Sequence, residues 1–294
     1  MPMLTTGEPM TLSRLYRLGK EQLSTLPGGE DNSPMEAAFL FEKALGLDWR
    51  ERFRRGQEPA PEEGAAAFLA LIRRRLAGEP LQYLLGEWEF YGLPFQVGPG
   101  VLIPRPETEL LVDRVLELCR GLSSPVLLDL CSGSGCIPIA LGKALPSASL
   151  WGVELSPHAL EYFRQNLARN GVPNVTAVAG DIFALPEEVT GRRYDIITAN
   201  PPYIPRGELP GLQAEVGWEP PLALDGGEDG LDFYRRLPGL CAPLLKPGGW
   251  LLLEIGEGQG EAVAGLLAGA AFDRVQVVTD LSGLERCVWG QRKD

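Results

Sequence analysis

The sequence predicts an α/β protein: a mostly parallel, doubly wound sheet with an antiparallel edge strand, joined by a β-hairpin to a small N-terminal bundle of α-helices. Beyond Thr108, helical segments alternate with short apolar runs rich in β-branched residues, which is typical of a parallel sheet covered on both faces. Residues 1–85 instead show only helical periodicity, broken by Pro and Gly. The expected domains are 1–85, helical; 86–104, a hairpin linker; and 105–294, the α/β domain.

The N-terminal region contains three segments with helical spacing. Thr11 or Ser13 caps a first predicted helix that ends near Leu23, and the stretch LPGGEDNSP (26–34) is expected to be a loop. Apolar residues at spacings of three and four predict further helices over Pro34–Leu47 and Pro61–Leu76. The aromatic and branched runs over 88–104, divided by two Gly- and Pro-containing breaks, predict the hairpin.

The α/β region is expected to carry its elements in alternating order and to end with two strands that form an antiparallel hairpin at one edge. The predicted helices are Glu109–Cys119, Ile137–Leu145, Pro157–Asn170, Leu231–Leu245 and Gly260–Leu267. The predicted strands are Val126–Asp129, Leu150–Glu154, Val175–Ala179, Tyr194–Ala199, Trp250–Ile255, Arg274–Thr279 and Arg286–Trp289.

Composition narrows the classes of function. A net charge of −12 argues against a general binder of polyanions, because phosphate contacts come mainly from Lys and Arg. No apolar run approaches the ~20 residues of a membrane helix, and no secretion signal stands at the start, so a cytoplasmic protein is expected. The five cysteines are an odd number, and His158 is the only histidine, so we expect neither disulfides nor a metal site.

Three consecutive strands end in residues suited to a nucleoside. The first strand runs into DLCSGSGCI (Asp129–Ile137), where glycines allow a tight turn and the close approach of a ligand to a helix N-terminus. Glu154 ends the next strand, where a carboxylate accepts hydrogen bonds from ribose hydroxyls. Asp181 follows the third strand as an acceptor for an adenine amino group, with Ile182 against the ring. Taken singly, the glycine loop is also consistent with a tight strand-to-helix turn, and Glu154 with a helix cap or a solvated acid.

The fourth strand runs into Asn200-Pro201-Pro202-Tyr203. Two prolines end any strand, so the motif is either a plain stop or a rigid cradle for a planar NH₂ group. As a cradle, the Asn200 oxygen and the Pro201 carbonyl accept both N–H bonds, and Tyr203 either stacks on the plane or bounds the pocket. Such positioning suits methylation of an amide or exocyclic amine, whose lone pair is delocalised. The neighbouring strand ends favour the cradle.

These motifs together resemble class I S-adenosylmethionine-dependent methyltransferases that act on planar nitrogens. The stretch GEPLQYLLGEWEFYGLPFQVGPGVLIPRPETELLV (78–112), together with EPPLALDGGEDGLDFYRRL (219–237) and EIGEGQGEAV (254–263), resembles the release factor glutamine methyltransferases. That family N5-methylates the glutamine of the GGQ motif in class I peptide chain release factors. The resemblance covers the chain from about residue 78 to its end. Cys131 departs from the glycine usual in the family's DLGTGSG loop, and Ile182 stands where an aromatic residue is frequent.

The resemblance implies S-adenosyl-L-methionine as cofactor, S-adenosyl-L-homocysteine as product, and the following site residues. The implied catalytic residues are Asn200, Pro201 and Tyr203. Substrate contacts would come from Asn200, Pro201, Pro202, Tyr203, Arg105 and Glu107. Cofactor contacts would come from Asp129, Cys131, Ser132, Gly133, Ser134, Gly135, Glu154, Leu155, Asp181, Ile182, Asn200 and Thr108.

The segment that contains Arg105, Glu107 and Thr108 has two interpretations. It forms a polar lid opposite the cofactor, or it joins hairpin to helix with Thr108 as the cap. The resemblance further implies a class I release factor as the partner, gripped elsewhere by the helical domain, and we expect a monomer that contacts neither nucleic acid nor membrane.

Other functions stay open at this stage. They are methylation of a ribosomal-protein glutamine, methylation of an exocyclic amine of a nucleic acid base, and a nucleoside-binding module without catalysis.

Overall fold

The computed structural model describes residues 10–294 and divides into two compact units, with the boundary between Gly86 and Glu87. The first nine residues, which the predicted helical domain includes, lie outside the described residues. The hairpin that was expected as a linker over 86–104 belongs to the second unit. Side chains of the helix Pro157–Asn170 fasten it there, since Asn166 Oδ1 accepts the Gln96 N–H at 2.6 Å and Asn170 Nδ2 donates to the Pro94 carbonyl at 3.0 Å.

The first unit is a bundle of α-helices: α1 (Leu12–Leu23), α2 (Gly29–Leu45), α3 (Trp49–Arg54), α4 (Glu62–Leu76) and α5 (Leu81–Leu85). Thr11 caps α1 by accepting the Arg14 N–H, as predicted, and α4 follows Pro61, also as predicted. Phe41 of α2 and Phe68 of α4 are fully buried and meet edge to face at 5.4 Å between ring centroids. The bundle is therefore held by a small aromatic core.

Three features of this unit differ from the prediction. The prediction of a loop over 26–34 is wrong, because α2 already begins at Gly29 and contains Pro34. Acidic residues Glu30 and Asp31 occupy its first turn, where they complement the helix dipole, and this extends the helix past its proline. The short helices α3 and α5 were not predicted. Asp48 caps α3 by accepting the Glu51 N–H at 2.8 Å.

The second unit opens with the hairpin of β1 (Glu87–Phe90) and β2 (Leu93–Gln96). Its remaining helices are α6 (Glu109–Leu118), α7 (Cys136–Ala144), α8 (Pro157–Asn170), α9 (Glu187–Thr190), α10 (Asp232–Cys241) and α11 (Gly260–Ala268). The remaining strands are β3 (Val126–Leu130), β4 (Ser149–Glu154), β5 (Val175–Ala179), β6 (Tyr194–Ala199), β7 (Leu245–Glu254), β8 (Phe272–Thr279) and β9 (Glu285–Arg292). Helix α10 ends before the predicted Leu245, because that residue pairs with Tyr194 at the start of β7.

Strands β3–β9 form one seven-stranded sheet in the order β5-β4-β3-β6-β7-β9-β8. The pairs from β5 to β7 are parallel, and β9 runs antiparallel to both β7 and β8. Helices α6–α8 cover one face of the sheet and α9–α11 the other, each around its own buried apolar cluster. The doubly wound α/β fold is confirmed, with its antiparallel strand next to the edge strand.

Along residues 10–294, no helix combines the length and the apolar composition needed to cross a membrane. The five cysteines are free thiols.

Candidate functional site

The carboxyl ends of β4, β3 and β6 lie side by side in the sheet, since these strands are parallel neighbours. A pocket lies at this edge and holds about 870 Å³ of space that no atom fills, solvent at its mouth included. We call it the first pocket. Its lining includes predicted residues from four strand ends, namely Cys131, Gly133, Glu154, Leu155, Asp181, Ile182, Asn200 and Pro202. The fold therefore brings most of the predicted ligand-binding residues together.

The loop after β3 owes its shape to residues in the left-handed region. Cys131, Gly133 and Gly135 have φ angles of 59°, 56° and 79°. The two glycines serve different purposes. A Cβ at Gly133 would meet nothing within 4 Å, so this residue leaves open space beside the first pocket, whereas a Cβ at Gly135 would lie 2.0 Å from the Phe163 ring. The absence of a side chain at Gly133 leaves space open at the first pocket, and its absence at Gly135 leaves space for the buried Phe163 ring.

Glu154 joins this loop to the next strand. Its Oε2 accepts the Gly133 N–H and its Oε1 accepts the Ser156 N–H, both at 2.7 Å. Burial raises the pKa of Glu154, and these main-chain hydrogen bonds oppose the rise. Ser156, not Glu154, caps α8 by accepting the Ala159 N–H, so Glu154 is neither a helix cap nor a solvated acid. Each carboxylate oxygen keeps acceptor capacity for a ligand that enters the pocket.

Beyond β5, the wall of the first pocket is partly aromatic. Asp181 and Ile182 line it as predicted, and so does Phe183, which the sequence reasoning passed over. The Phe183 ring stacks on Phe233 at 5.5 Å between centroids, and the Arg236 guanidinium lies 3.8 Å from the Phe183 centroid. The aromatic residue missing at 182 is therefore present one position later, and the stretch Gly180-Asp181-Ile182-Phe183 was the signal for it.

Several predicted cofactor residues lie behind the pocket wall. The first pocket is lined by none of Asp129, Ser132, Ser134, Gly135 and Thr108. Asp129 is buried, its Oδ1 accepts the Thr198 hydroxyl at 2.7 Å, and burial raises the pKa of Asp129 to about 7. Within residues 10–294, the buried atoms Asp129 Oδ2 and Ser134 Oγ have no hydrogen-bond partner. All five residues are buried, so the structure does not place them on the surface of the first pocket.

Asn200-Pro201-Pro202-Tyr203 follows β6, between the first pocket and a second one. The second pocket holds about 610 Å³ of open space, and its lining includes Asn200, Tyr203, Arg105 and Glu254. Asn200 lines both pockets. Its side chain is therefore at the boundary between the first pocket and the second.

The side chain of Gln259 and the close approach of Gly226 hold the main chain of Tyr203 in place. Gln259 Nε2 donates to the Tyr203 carbonyl at 3.0 Å, and Gln259 Oε1 accepts the Gly256 N–H at 2.9 Å. A Cβ at Gly226 would lie 2.7 Å from the Tyr203 Cα, so only glycine allows that approach. Burial raises the pKa of the Tyr203 phenol, which therefore stays neutral. The motif is rigid because its neighbours fix it as well as its prolines.

The Arg105–Thr108 segment adopts neither predicted arrangement in full. Arg105 lines the second pocket and pairs with the buried carboxylate of Glu219, whose Oε2 accepts the Ile103 N–H at 3.1 Å. Glu107 lines neither pocket and lies 3.8 Å from the Arg286 guanidinium. The interpretation of Thr108 as a helix cap is wrong: its side chain accepts no capping hydrogen bond and instead donates to Glu254 at 2.6 Å.

Glu254, like Phe183, is a pocket residue that sequence reasoning missed. It ends β7, the next strand along the same edge of the sheet, and it is only 3% exposed. Burial raises the pKa of Glu254 to about 7, while hydrogen bonds from Thr108 and Asn200 oppose the rise. An acidic residue at the end of an otherwise apolar strand was the signal, since Glu154 stands at the equivalent place in β4.

Comparison with known families and proteins agrees with this organisation. A family model described as the PrmC N-terminal domain matches residues 15–86, and one described as a methyltransferase domain matches residues 123–226. A protein of Geobacter sulfurreducens named release factor glutamine methyltransferase is 43% identical over 264 residues, which cover 90% of this chain and 91% of that protein. A relative of the same name from Moorella thermoacetica is 42% identical over 279 residues, 94% of this chain and 98% of its own.

Among solved structures, the hMettl16 catalytic domain aligns with a TM-score of 0.58 at 17% identity, over 79% of this chain and 82% of its own. At that identity the likeness concerns the fold alone, and it supports the class I methyltransferase architecture.

Proposed function

Because the chain belongs to the family of release factor glutamine methyltransferases, we propose that it transfers a methyl group from S-adenosylmethionine to a glutamine side chain. The acceptor is the amide nitrogen, N5, of the glutamine in the GGQ motif of class I peptide chain release factors. The observation that carries this proposal is the position of Asn200, which lines both pockets at the end of β6. One pocket suits the nucleoside cofactor, and the other suits the glutamine side chain.

The residues of the first pocket fit the cofactor. Glu154 offers two carboxylate oxygens to ribose hydroxyls, Asp181 offers an acceptor to the adenine amino group, and Ile182 and Phe183 bound the ring plane. The open space beside Gly133 allows the main chain of the loop to approach the ligand closely. S-adenosylmethionine, when bound, supplies a methyl group made electrophilic by a sulfonium centre, and S-adenosylhomocysteine is its product.

Asn200 and Pro201 prepare the acceptor nitrogen. An amide nitrogen is a poor nucleophile because its lone pair is delocalised into the carbonyl group. The Asn200 oxygen and the Pro201 carbonyl accept its two N–H bonds, which concentrates electron density on nitrogen and holds it in one orientation. Tyr203 stacks on the amide plane, and Arg105 also lines the second pocket. The methylated amide is a strong acid, so it loses its proton to water without a protein base.

We assign the N-terminal unit to recognition of another part of the release factor. Helix α3 presents two strongly exposed aromatic side chains, Trp49 at 63% and Phe53 at 88% exposure, on a helix rich in arginine. The change Phe53→Ala is expected to raise the KM for the factor while kcat and cofactor affinity stay the same. A Phe53→Ala enzyme with an unaltered KM would contradict a role for this face. A monomeric state and a cytoplasmic location remain predictions.

The proposed activity is tested with methyl-labelled S-adenosylmethionine and two substrates. One is a class I release factor, and the other is the same factor with the GGQ glutamine replaced by alanine. Label is expected on the first and not on the second. Equal labelling of both, or of neither, would contradict the proposal. Label on a large-subunit ribosomal protein or on a nucleic acid, supplied in place of the factor, would favour one of the alternative substrates.

A further inference from the structure

Three side chains that are distant in the sequence form a chain of hydrogen bonds behind the proposed amide cradle. The Thr108 hydroxyl donates to Glu254 Oε2 at 2.6 Å, and Asn200 Nδ2 donates to the Thr108 hydroxyl oxygen at 3.4 Å. Thr108 precedes α6, Asn200 follows β6 and Glu254 ends β7. Thr108 and Glu254 are only 2% and 3% exposed, so water does not compete for these bonds.

The direction of this chain follows from how many protons each group carries. A hydroxyl has one proton to donate, and an ionised carboxylate has none. Once Thr108 donates to Glu254, its oxygen can only accept, and it therefore accepts from the NH₂ end of the Asn200 amide. Asn200 also lowers the pKa of Glu254, as an N–H donor near the carboxylate does. The Asn200 amide is therefore turned with Nδ2 toward Thr108 and Glu254 and with Oδ1 away from them.

We propose that Thr108 and Glu254 are positioning residues, which hold the Asn200 oxygen toward the glutamine amide of the substrate. This inference rests on the proposed function, because only an N–H donor in the second pocket needs an oxygen at that place. A flipped Asn200 would present its own NH₂ group to the substrate NH₂ group, and two donors repel each other. Neither residue touches the substrate in this role, since both act through Asn200.

The protonation state of Glu254 controls the orientation. A protonated Glu254 carries a proton of its own to donate to Thr108, which frees the Thr108 proton for Asn200 Oδ1. Both amide orientations then become acceptable. Because burial raises the pKa of Glu254 to about 7, this change falls near neutral pH. The negative charge of Glu107 raises the pKa of Glu254, and the positive charge of Arg286 lowers it. The other titratable groups near Glu254 are neutral, namely the phenols of Tyr203 and Tyr234 and the thiols of Cys136 and Cys287.

Two substitutions at Thr108 separate the hydroxyl from the shape of the side chain. Thr108→Val keeps the shape, removes the hydroxyl and is expected to lower kcat for the release factor about tenfold, which corresponds to about 1.4 kcal/mol. Thr108→Ser keeps the hydroxyl and is expected to restore most of kcat. The Kd for S-adenosylhomocysteine is expected to be unchanged in both, because Thr108 does not line the first pocket. Thr190→Val is the matched control, since its exposed hydroxyl lies only against a main-chain carbonyl.

The substitution Glu254→Gln tests the carboxylate. Glutamine still accepts from Thr108 through its amide oxygen, but it does not titrate. We expect kcat of the unaltered enzyme to fall as pH drops below about 7, and we expect this fall to disappear in Glu254→Gln. Asp129 has a pKa near the same value. A fall that persists in Glu254→Gln would assign the titration to Asp129 and overturn the role of Glu254.

The Asn200 amide itself gives a readout that needs no substrate. In protein labelled with ¹⁵N-asparagine, the side-chain NH₂ signal of Asn200 is identified by its loss in Asn200→Ala. It is expected to move with pH around 7 in the unaltered protein and to be insensitive to pH in Glu254→Gln. If no label appeared on the release factor in the methyl-transfer assay, that result would contradict the proposed function and would leave the positioning role to be judged by the NH₂ signal. An NH₂ signal without pH dependence, or a Thr108→Val enzyme with full kcat on a labelled factor, would sink the positioning role.

Discussion

The two ends of the ligand-binding edge of the sheet are built differently. At the ends of β3 and β4, the contacts involve mainly the main chain. Glu154 accepts hydrogen bonds from the N–H groups of Gly133 and Ser156, and the positive φ angles of Gly133 and Gly135 determine the conformation of the loop. At the ends of β6 and β7, the contacts join side chains, from Glu254 through Thr108 to Asn200. Cofactor affinity should therefore depend on local loop geometry, and methyl transfer on side chains brought together by the tertiary fold.

The largest expected effect comes from removing the amide at the boundary of the two pockets. Asn200→Ala is expected to lower kcat by about 10²–10³, the range found when one preorganised hydrogen-bonding group of a reaction site is lost. Calorimetry should show cofactor affinity largely retained. Asn32→Ala, an exposed change in α2, is the control and should leave both quantities unaltered. If Asn200→Ala lost cofactor binding as well as methyl transfer, the two ends of the sheet edge would not have the separate roles proposed for them.

At the end formed by β3 and β4, Glu154→Ala is expected to weaken cofactor binding more than it lowers kcat. Its loss removes hydrogen bonds to a charged group worth about 1.5–3 kcal/mol, so the Kd for S-adenosylhomocysteine should rise at least tenfold. At saturating cofactor, kcat should fall far less than in Asn200→Ala. Glu161→Ala on the exposed face of α8 provides the comparison. An unaltered Kd in the Glu154 variant would disprove its assignment to the cofactor.

A smaller effect concerns stability and pH at Glu254. The pKa of Glu254 is about 7 in the folded protein against an ordinary value of 4.5. Between these values the folded state holds a proton that the unfolded state has released, so stability falls as pH rises from about 4.5 to 7. Glu254→Gln should therefore raise Tm more at pH 8 than at pH 6. Exposed Glu257→Gln should give no such difference, and an equal shift at both pH values in Glu254→Gln would contradict the raised pKa.

The smallest expected effect lies in the loop. Cys131 holds a φ of 59°, a conformation that costs a residue with a Cβ about 1 kcal/mol or more. Cys131→Gly should therefore stabilise the protein by about 1 kcal/mol in denaturant unfolding. Cys131→Ala keeps the Cβ and should give no gain. If both variants, or neither, gained stability, strain at this position would not be the cause.

The same contrast explains which parts of the molecule the sequence could predict. Strand ends, the glycine loop, Glu154 and the Asn200 motif are local patterns, and a parallel sheet gathers its strand ends at one edge. The hydrogen bond between Thr108 and Glu254 could not be predicted, because it spans 146 positions and depends on strand order and register. Phe183 was missed for a different reason, since the expected aromatic residue is displaced by one position.

In the helical unit, the errors have local causes. Proline is normally found in the first turn of a helix, so Pro34 predicted that the helix begins there. Helix α2 instead begins at Gly29, five residues before it. The six-residue helix α3 is too short for apolar periodicity to reveal it, and its Asp48 cap was the only sequence signal.

The loop glycines have a consequence for anyone who wishes to alter the enzyme by random mutagenesis. Residues introduced at 133 project into open space, so those that tolerate a positive φ, such as asparagine, should leave a soluble protein with an obstructed cofactor site. Any side chain at 135 collides with the Phe163 ring, so such variants should be lost from the soluble fraction altogether. A library scored separately for solubility and for ligand capture would therefore sort two neighbouring glycines into different classes.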